Sequence, residues 1–173
     1  MEVRCCDTTS NYIGTKGSVG LIMIITIVIA GCLLLIAGMA VKKNRTLPSA
    51  LGVKEGMLAP LPSSPNAVSS QTMQDKRYVP PLPYAGDIEQ TKALVKKAAS
   101  DFGGTHIMVE KPDYLHMVFT IPVIPFKDDV EFYFSEKERV VHYRSASRVG
   151  YSDLGVNRQR YERLRRIFEE YAK

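Results

Sequence analysis

Residues 17–41 carry no charged side chain, and the apolar run stops at Lys42 and Lys43. A helix rises about 1.5 Å per residue, so about 20 apolar residues cross a hydrocarbon core of about 30 Å. The run therefore predicts a transmembrane helix over 17–41, with length to spare for tilt. About thirteen Leu, Ile or Val residues lie between Val19 and Val41. Each favours insertion by roughly 0.3–0.6 kcal/mol near mid-membrane, about 4–8 kcal/mol together, and no charge opposes them. The core helix of a soluble protein would show a polar face here.

Beyond the run the pattern changes twice. Seven of the ten prolines fall between Pro48 and Pro83. Proline fixes φ and pushes its predecessor out of the helical region, so residues 42–84 read as an extended linker and surface wrap. Residues 85–173 read as one domain. Asp87, with Gln90 three positions on, forms a capping box, and Thr91, Leu94, Val95, Ala98 and Phe102 then recur at helical spacing until Gly103 and Gly104. Four strand-like runs follow: Thr105–Glu110, Asp113–Ile121, Asp129–Phe134 and Arg139–Ser145. Their short connections require antiparallel neighbours. A last amphipathic helix, Val156–Ala172, places Tyr161, Leu164, Ile167, Phe168 and Tyr171 on one side. The expected fold class is α+β: an anchor, then a helix, a four-stranded antiparallel sheet and a helix. Alternation points Leu115, Met117, Phe119, Val130, Phe132 and Phe134 toward the helices. It leaves Tyr114, His116, Thr120, Glu131 and Tyr133 on a face expected to be wet.

Charge bears on orientation. Lys42, Lys43 and Arg45 follow the run, whereas Arg4 and Lys16 precede it in a short polar tail, residues 1–16. The excess of basic residues places the domain on the cytoplasmic side. A second reading sits in the same run: Ile29-Ala30-Gly31-Cys32 resembles a lipoprotein cleavage box, which would make Cys32 the mature terminus. Against it, Leu33, Leu34, Leu35 and Ile36 continue the apolar run where a processed lipoprotein turns polar. The ordinary alternative is a spanning helix with a small-residue face at Gly31 and Gly38. Cys5 and Cys6 are either acylated or free thiols. The domain itself has no cysteine. Asn44-Arg45-Thr46 fits a glycosylation pattern but lies too close to the bilayer for a glycan.

Two blocks carry a family resemblance. One is Leu51-Gly52-Val53 followed by the stretch from Gly56-Met57-Leu58-Ala59-Pro60 through Ser63-Ser64-Pro65-Asn66 to Gln71. The other joins Asp128-Asp129-Val130-Glu131-Phe132-Tyr133-Phe134 to Val141-His142-Tyr143-Arg144-Ser145-Ala146-Ser147-Arg148-Val149-Gly150-Tyr151-Ser152-Asp153-Leu154-Gly155-Val156-Asn157-Arg158, with Arg160. Over Leu51 to the end the chain resembles the family catalogued as domain of unknown function 1499, and the anchor lies outside that stretch. The resemblance implies no activity, and relatives of bacterial envelope and plastid type leave the side of the membrane open. It also implies that a cysteine pair usual in the family is absent, since Leu61 and Ala67 stand at those places. Loss of a bridge costs least in a reducing compartment.

The densest polar cluster is the strand–loop–helix stretch from Arg144 to Arg160. Arg144, Arg148 and Arg158 offer forked donors. Ser147, Gly150, Tyr151, Ser152, Asp153 and Asn157 form the loop before a helix start, an arrangement suited to a phosphate or carboxylate. The competing reading is an internal ion-pair network with Asp128, Asp129 and Glu131. A third is catalysis by Ser147 or Ser152 with His142 and Asp153, although Ser152 and Asp153 are also ordinary helix caps. His106, His116 and His142 are not spaced as metal ligands, and Asp128-Asp129 reads as a turn, so no metal or cofactor is expected. The formal charge is +5, but Glu162, Glu169 and Glu170 interleave with the last helix's arginines, which argues against nucleic acid. The expected function is an integral membrane protein whose domain is a binding or structural module near the bilayer, for a membrane protein complex, an anionic lipid or a small anion. The alternatives are an envelope enzyme using the 144–153 loop and a processed lipoprotein.

Overall fold

No proline precedes Pro48, and despite its β-branched residues and glycines the apolar run continues as one helix, α1, Ser10–Arg45, whose backbone groups bond internally. The computed structural model of the chain describes residues 10–120 and 126–173. Cys5, Cys6 and Ile121 lie outside these. Within α1, Val19–Arg45 is 27 residues long and apolar enough to cross a membrane, with none of its most apolar window buried. Its one hydroxyl, on Thr26, donates to the Ile22 carbonyl at 2.9 Å and so needs no water partner. The chain divides into two units, one ending at Lys42 and one spanning Lys43–Lys173.

The second unit is α+β, as the periodicity predicts. Its elements are β1 (Val53–Lys54), β2 (Met57–Leu58), β3 (Ala67–Ser69), β4 (Leu82–Pro83), α2 (Ile88–Ser100), β5 (Thr105–Glu110), β6 (Tyr114–Thr120), β7 (Lys127–Ser135), β8 (Val140–Ser147) and α3 (Val156–Tyr171). The capping box at α2 is complete: Asp87 accepts from the Gln90 amide, and the Gln90 side chain accepts from the Asp87 amide. The main sheet runs β3-β8-β7-β6-β5, and β4 also pairs with β8. All of these pairings are antiparallel.

Two expectations about the strands need correction. The proline-rich stretch is more than a surface wrap. Ala67–Ser69 and Leu82–Pro83 share the outer edge of β8, and Val68, Val79 and Leu82 enter the core. Proline is tolerated there because an edge strand leaves one side of its backbone unpaired. The sheet therefore has six strands rather than four. Asp128-Asp129, read as a turn, is instead strand, paired with Phe119 and Val118 of β6 and with Ser147 and Ala146 of β8.

The helix-side residues are as alternation predicts. Leu115, Met117, Phe119, Val130, Phe132 and Phe134 join Val141 and Tyr143 under Val95 and Ala98 of α2 and Tyr161, Leu164 and Phe168 of α3. Each large side chain so buried contributes roughly 1.5–3 kcal/mol. The opposite face is not wet: Tyr114, His116 and Glu131 are buried. Residues from Asn44 to Pro60 cover it, bonded through the Gly52 amide to Glu131, the Pro60 carbonyl to Arg144 and the Asn44 carbonyl to Arg148. Central strands buried on both faces, as β6, β7 and β8 are, cannot keep an unpaired charge, and that requirement organises the polar cluster.

Candidate functional site

Strand parity sends the three carboxylates of β7 to two faces: Asp128 under the helices, Asp129 and Glu131 under the 44–60 segment. Each is buried, and each has its own arginine. Arg144 lies opposite Glu131 in register and donates to its Oε2 at 2.7 Å. The other oxygen accepts from the Tyr114 hydroxyl and the Gly52 amide, both at 2.8 Å. Burial, and then the Glu131 charge, push the Tyr114 phenol well above its ordinary value, so it remains a donor.

Arg148, just past β8, forks onto Asp129, Nε to Oδ2 at 2.8 Å and Nη2 to Oδ1 at 2.7 Å. His116 Nε2 lies 2.9 Å from the same Oδ1. The third arm of the fork, Nη1, donates to the Asn44 carbonyl at 3.2 Å. Burial alone would raise the Asp129 carboxyl, but the hydrogen bonds from Arg148 and His116 outweigh it and hold the carboxyl below its usual range. The folded chain thus releases the Asp129 proton more readily than the unfolded chain does. That stability is complete above the ordinary carboxylate range, near pH 4, and is lost as pH falls through the lower folded value. Urea titrations at falling pH should therefore show a shallower acid-side loss for Asp129→Asn than for the native chain. Equal slopes would mean that the network does not bias Asp129.

On the helix face Arg160 holds Asp128 and also donates to Asn157 Oδ1 at 2.7 Å and Ser145 Oγ at 3.2 Å. Asn157 is a junction. Its amide nitrogen donates to the Asn66 carbonyl, Ser147 Oγ and Asp153 Oδ2, tying α3 to β3 and β8. Asn66 in turn donates to the Gly150 carbonyl at 2.8 Å. Asp153 caps α3 by accepting from the Asn157 and Gly155 amides, and Ser152 accepts from the Leu154 amide.

The structure therefore does not bring the three candidate arginines to one point. Arg144 and Arg148 lie on one face with Glu131 and Asp129. Arg158 lies on α3, where it donates to the carbonyls of Lys76 and Tyr78 at 2.9 and 2.8 Å. Nor do Ser147 and His142 meet, since residues of unlike parity on β8 point to opposite faces. The serine that does lie beside His142 is Ser70, 3.3 Å from Nδ1, with Glu138 at 2.8 Å from Nε2. Ser70 Oγ already accepts from the Tyr143 amide, so it is held in the backbone ladder. Among the described residues no three His, Cys, Asp or Glu side chains gather as a metal set.

A cleft of about 530 Å³ opens beside this frame, lined by Phe102, Phe119, Gln159, Arg160 and Arg163 among others. The Arg160 guanidinium sits 5.0 Å from the Phe119 ring centre and that of Arg163 sits 4.7 Å from Phe102. Arg160 stands outside the three candidate anion-binding arginines, yet two signals in the sequence point to it. Asp128 shares parity with Val130 and Phe132, so its charge must sit under a helix. Arg160 shares an i, i+4, i+8 face with Leu164 and Phe168, the buried side of α3.

A family model described as "Protein of unknown function (DUF1499)" matches residues 57–168, well over half of the chain. The comparison with curated proteins finds no match.

Proposed function

As the chain belongs to the DUF1499 family, whose description names no activity, we propose a function from its own geometry. It is a single-pass membrane protein whose α+β domain is a binding or structural module held close to the bilayer. The observation that carries this reading is the α1 segment Val19–Arg45, long and apolar enough to cross a membrane, whose most apolar window has no residue buried in the protein. An apolar helix left bare in water would be strongly unfavourable, and a bilayer is the solvent that accepts it. The excess of Lys42, Lys43 and Arg45 over Arg4 and Lys16 supports a cytoplasmic domain.

The domain's design favours a scaffold over a reaction centre. Arg144, Arg148 and Arg160 are committed to buried carboxylates, and a guanidinium already forked onto Asp129 has few donors left for an external anion. In this reading the 144–153 loop supplies shape and rigidity, and ligands or partners meet the outer surface.

Membrane fractionation of the full chain tests the anchor. The protein is expected to remain in the pellet after alkaline carbonate washing and to have an intact mass that retains residues 1–31. Release into the supernatant would remove the anchor. A mass beginning at a lipidated Cys32 would replace it with the lipoprotein alternative.

A further inference from the structure

Two large apolar side chains stand almost wholly in water on the loop between β8 and α3: Tyr151 is 79% exposed and Leu154 is 88% exposed. They are not on a floppy tip. Asn66 holds the Gly150 carbonyl, Ser152 Oγ accepts from the Leu154 amide, and Asp153 takes the amides of Gly155 and Asn157. Leu154 itself has φ 53°, a left-handed conformation that costs a leucine free energy and suits a glycine. The loop thus spends hydrogen bonds to keep a strained, water-exposed leucine in one place. Strain held in this way points to a function for the side chain it presents.

The place of this loop along the chain indicates what covers it. The Arg148 amide donates to the Lys127 carbonyl at 3.0 Å, and the Lys127 amide donates to Asn44 Oδ1 at 2.9 Å. Arg148 Nη1 also reaches the Asn44 carbonyl. Asn44 directly follows Lys42 and Lys43, the charges that end the apolar run. Tyr151 is only three residues past Arg148, a span of about 10 Å at most. The same end of the domain exposes Phe126, beside Lys127, and Leu47, which lines a cleft with Lys43 and Arg148. Apolar side chains with a tyrosine among them, with Lys43 in the Leu47 cleft and Lys127 beside Phe126, have the chemistry of a membrane interface. Aromatic hydroxyls sit at headgroup level, leucine reaches the acyl boundary, and lysine and arginine meet phosphate.

We propose that the loop bearing Tyr151 and Leu154 is a lipid-contact element that seats in the headgroup–acyl boundary of the bilayer crossed by α1. It rests on the membrane-anchor reading and adds a second attachment, which limits how the domain swings on its tether. The contact is made by side-chain burial and requires no specific headgroup.

The chain contains no tryptophan, so a single introduced indole reports its own surroundings. Full-length Tyr151→Trp is reconstituted into phosphatidylcholine–phosphatidylglycerol vesicles with and without brominated acyl chains. Leu154→Trp serves as a second site, and Met73→Trp, at a residue 98% exposed, as the reference. The expected result is a blue-shifted emission for Tyr151→Trp that loses most of its intensity to brominated lipid, while Met73→Trp stays red and unquenched. If the protein floats with the vesicles but Tyr151→Trp emits as it would in water, the lipid contact is wrong and the anchor stands. A blue shift without bromine quenching would assign the loop to a protein contact and likewise overturn the proposal. If the chain does not float at all, the anchor reading fails and this one fails with it.

Discussion

Arg148→Ala is expected to lower the unfolding free energy by roughly 3–5 kcal/mol, the range for removing one partner of a buried ion pair. The loss is large because three groups are affected at once. Asp129 loses its two-pronged partner, His116 is left against an unneutralised carboxylate, and the Asn44 carbonyl loses a donor. The measurement is the urea midpoint at neutral pH, with the slope unchanged if the native fold persists. Arg148→Lys should recover little of the loss, since one ammonium cannot bond both carboxylate oxygens and the Asn44 carbonyl together. The paired change Asp129→Asn with Arg148→Met should cost less than Arg148→Ala alone, because it removes the charge as well as its partner. A shift within about 0.5 kcal/mol for Arg148→Ala, the range for an ordinary surface position, would show that the pair is not buried as described.

Arg160→Ala should be comparably costly, again about 3–5 kcal/mol, but with a different footprint. Arg160 joins Asp128 of β7 to Asn157 of α3 and Ser145 of β8, and Asn157 carries the bonds onward to Asn66 beside β3. Its loss therefore releases the start of α3 and the β3 edge before it disturbs β6 and β7. Hydrogen exchange should show protection falling first at Val156–Tyr161 and at Ala67–Ser69. Uniform loss of protection across the sheet would mean that α3 and the sheet open as one unit and that the junction has no local role.

These pairs also show where sequence reasoning stops. The candidate guanidinium forks suit an anion, and Arg144 and Arg148 each meet one, a carboxylate of the same domain, whereas Arg158 bonds the carbonyls of Lys76 and Tyr78. Whether an arginine faces a ligand or a neighbouring strand depends on what covers it, and covering is a long-range property. Arg144 and Glu131 sit 13 residues apart in register, yet Arg144 is closed off by Pro60, 84 residues away. The supposed wet face failed for the same reason: Tyr114, His116 and Glu131 alternate as solvent-facing residues do, and nothing within β6 or β7 reports the segment laid over them. The two proline-rich strands were missed because runs of two and three residues carry no measurable period. They are strands only because β8 offers an open edge.

Local physical chemistry was enough for the rest. The apolar run, its basic boundary, the Asp87–Gln90 box, the four longer strands and α3 follow from side-chain period and capping within about a dozen residues, and the sequence alone determined them. Only the tertiary structure decided which carboxylate takes which arginine, that the central strands β6 to β8 are buried on both faces, and that Tyr151 and Leu154 stand exposed on a braced loop. Those outcomes depend on contacts between residues tens of positions apart, where desolvation decides the partner and spacing along the chain carries no information about it.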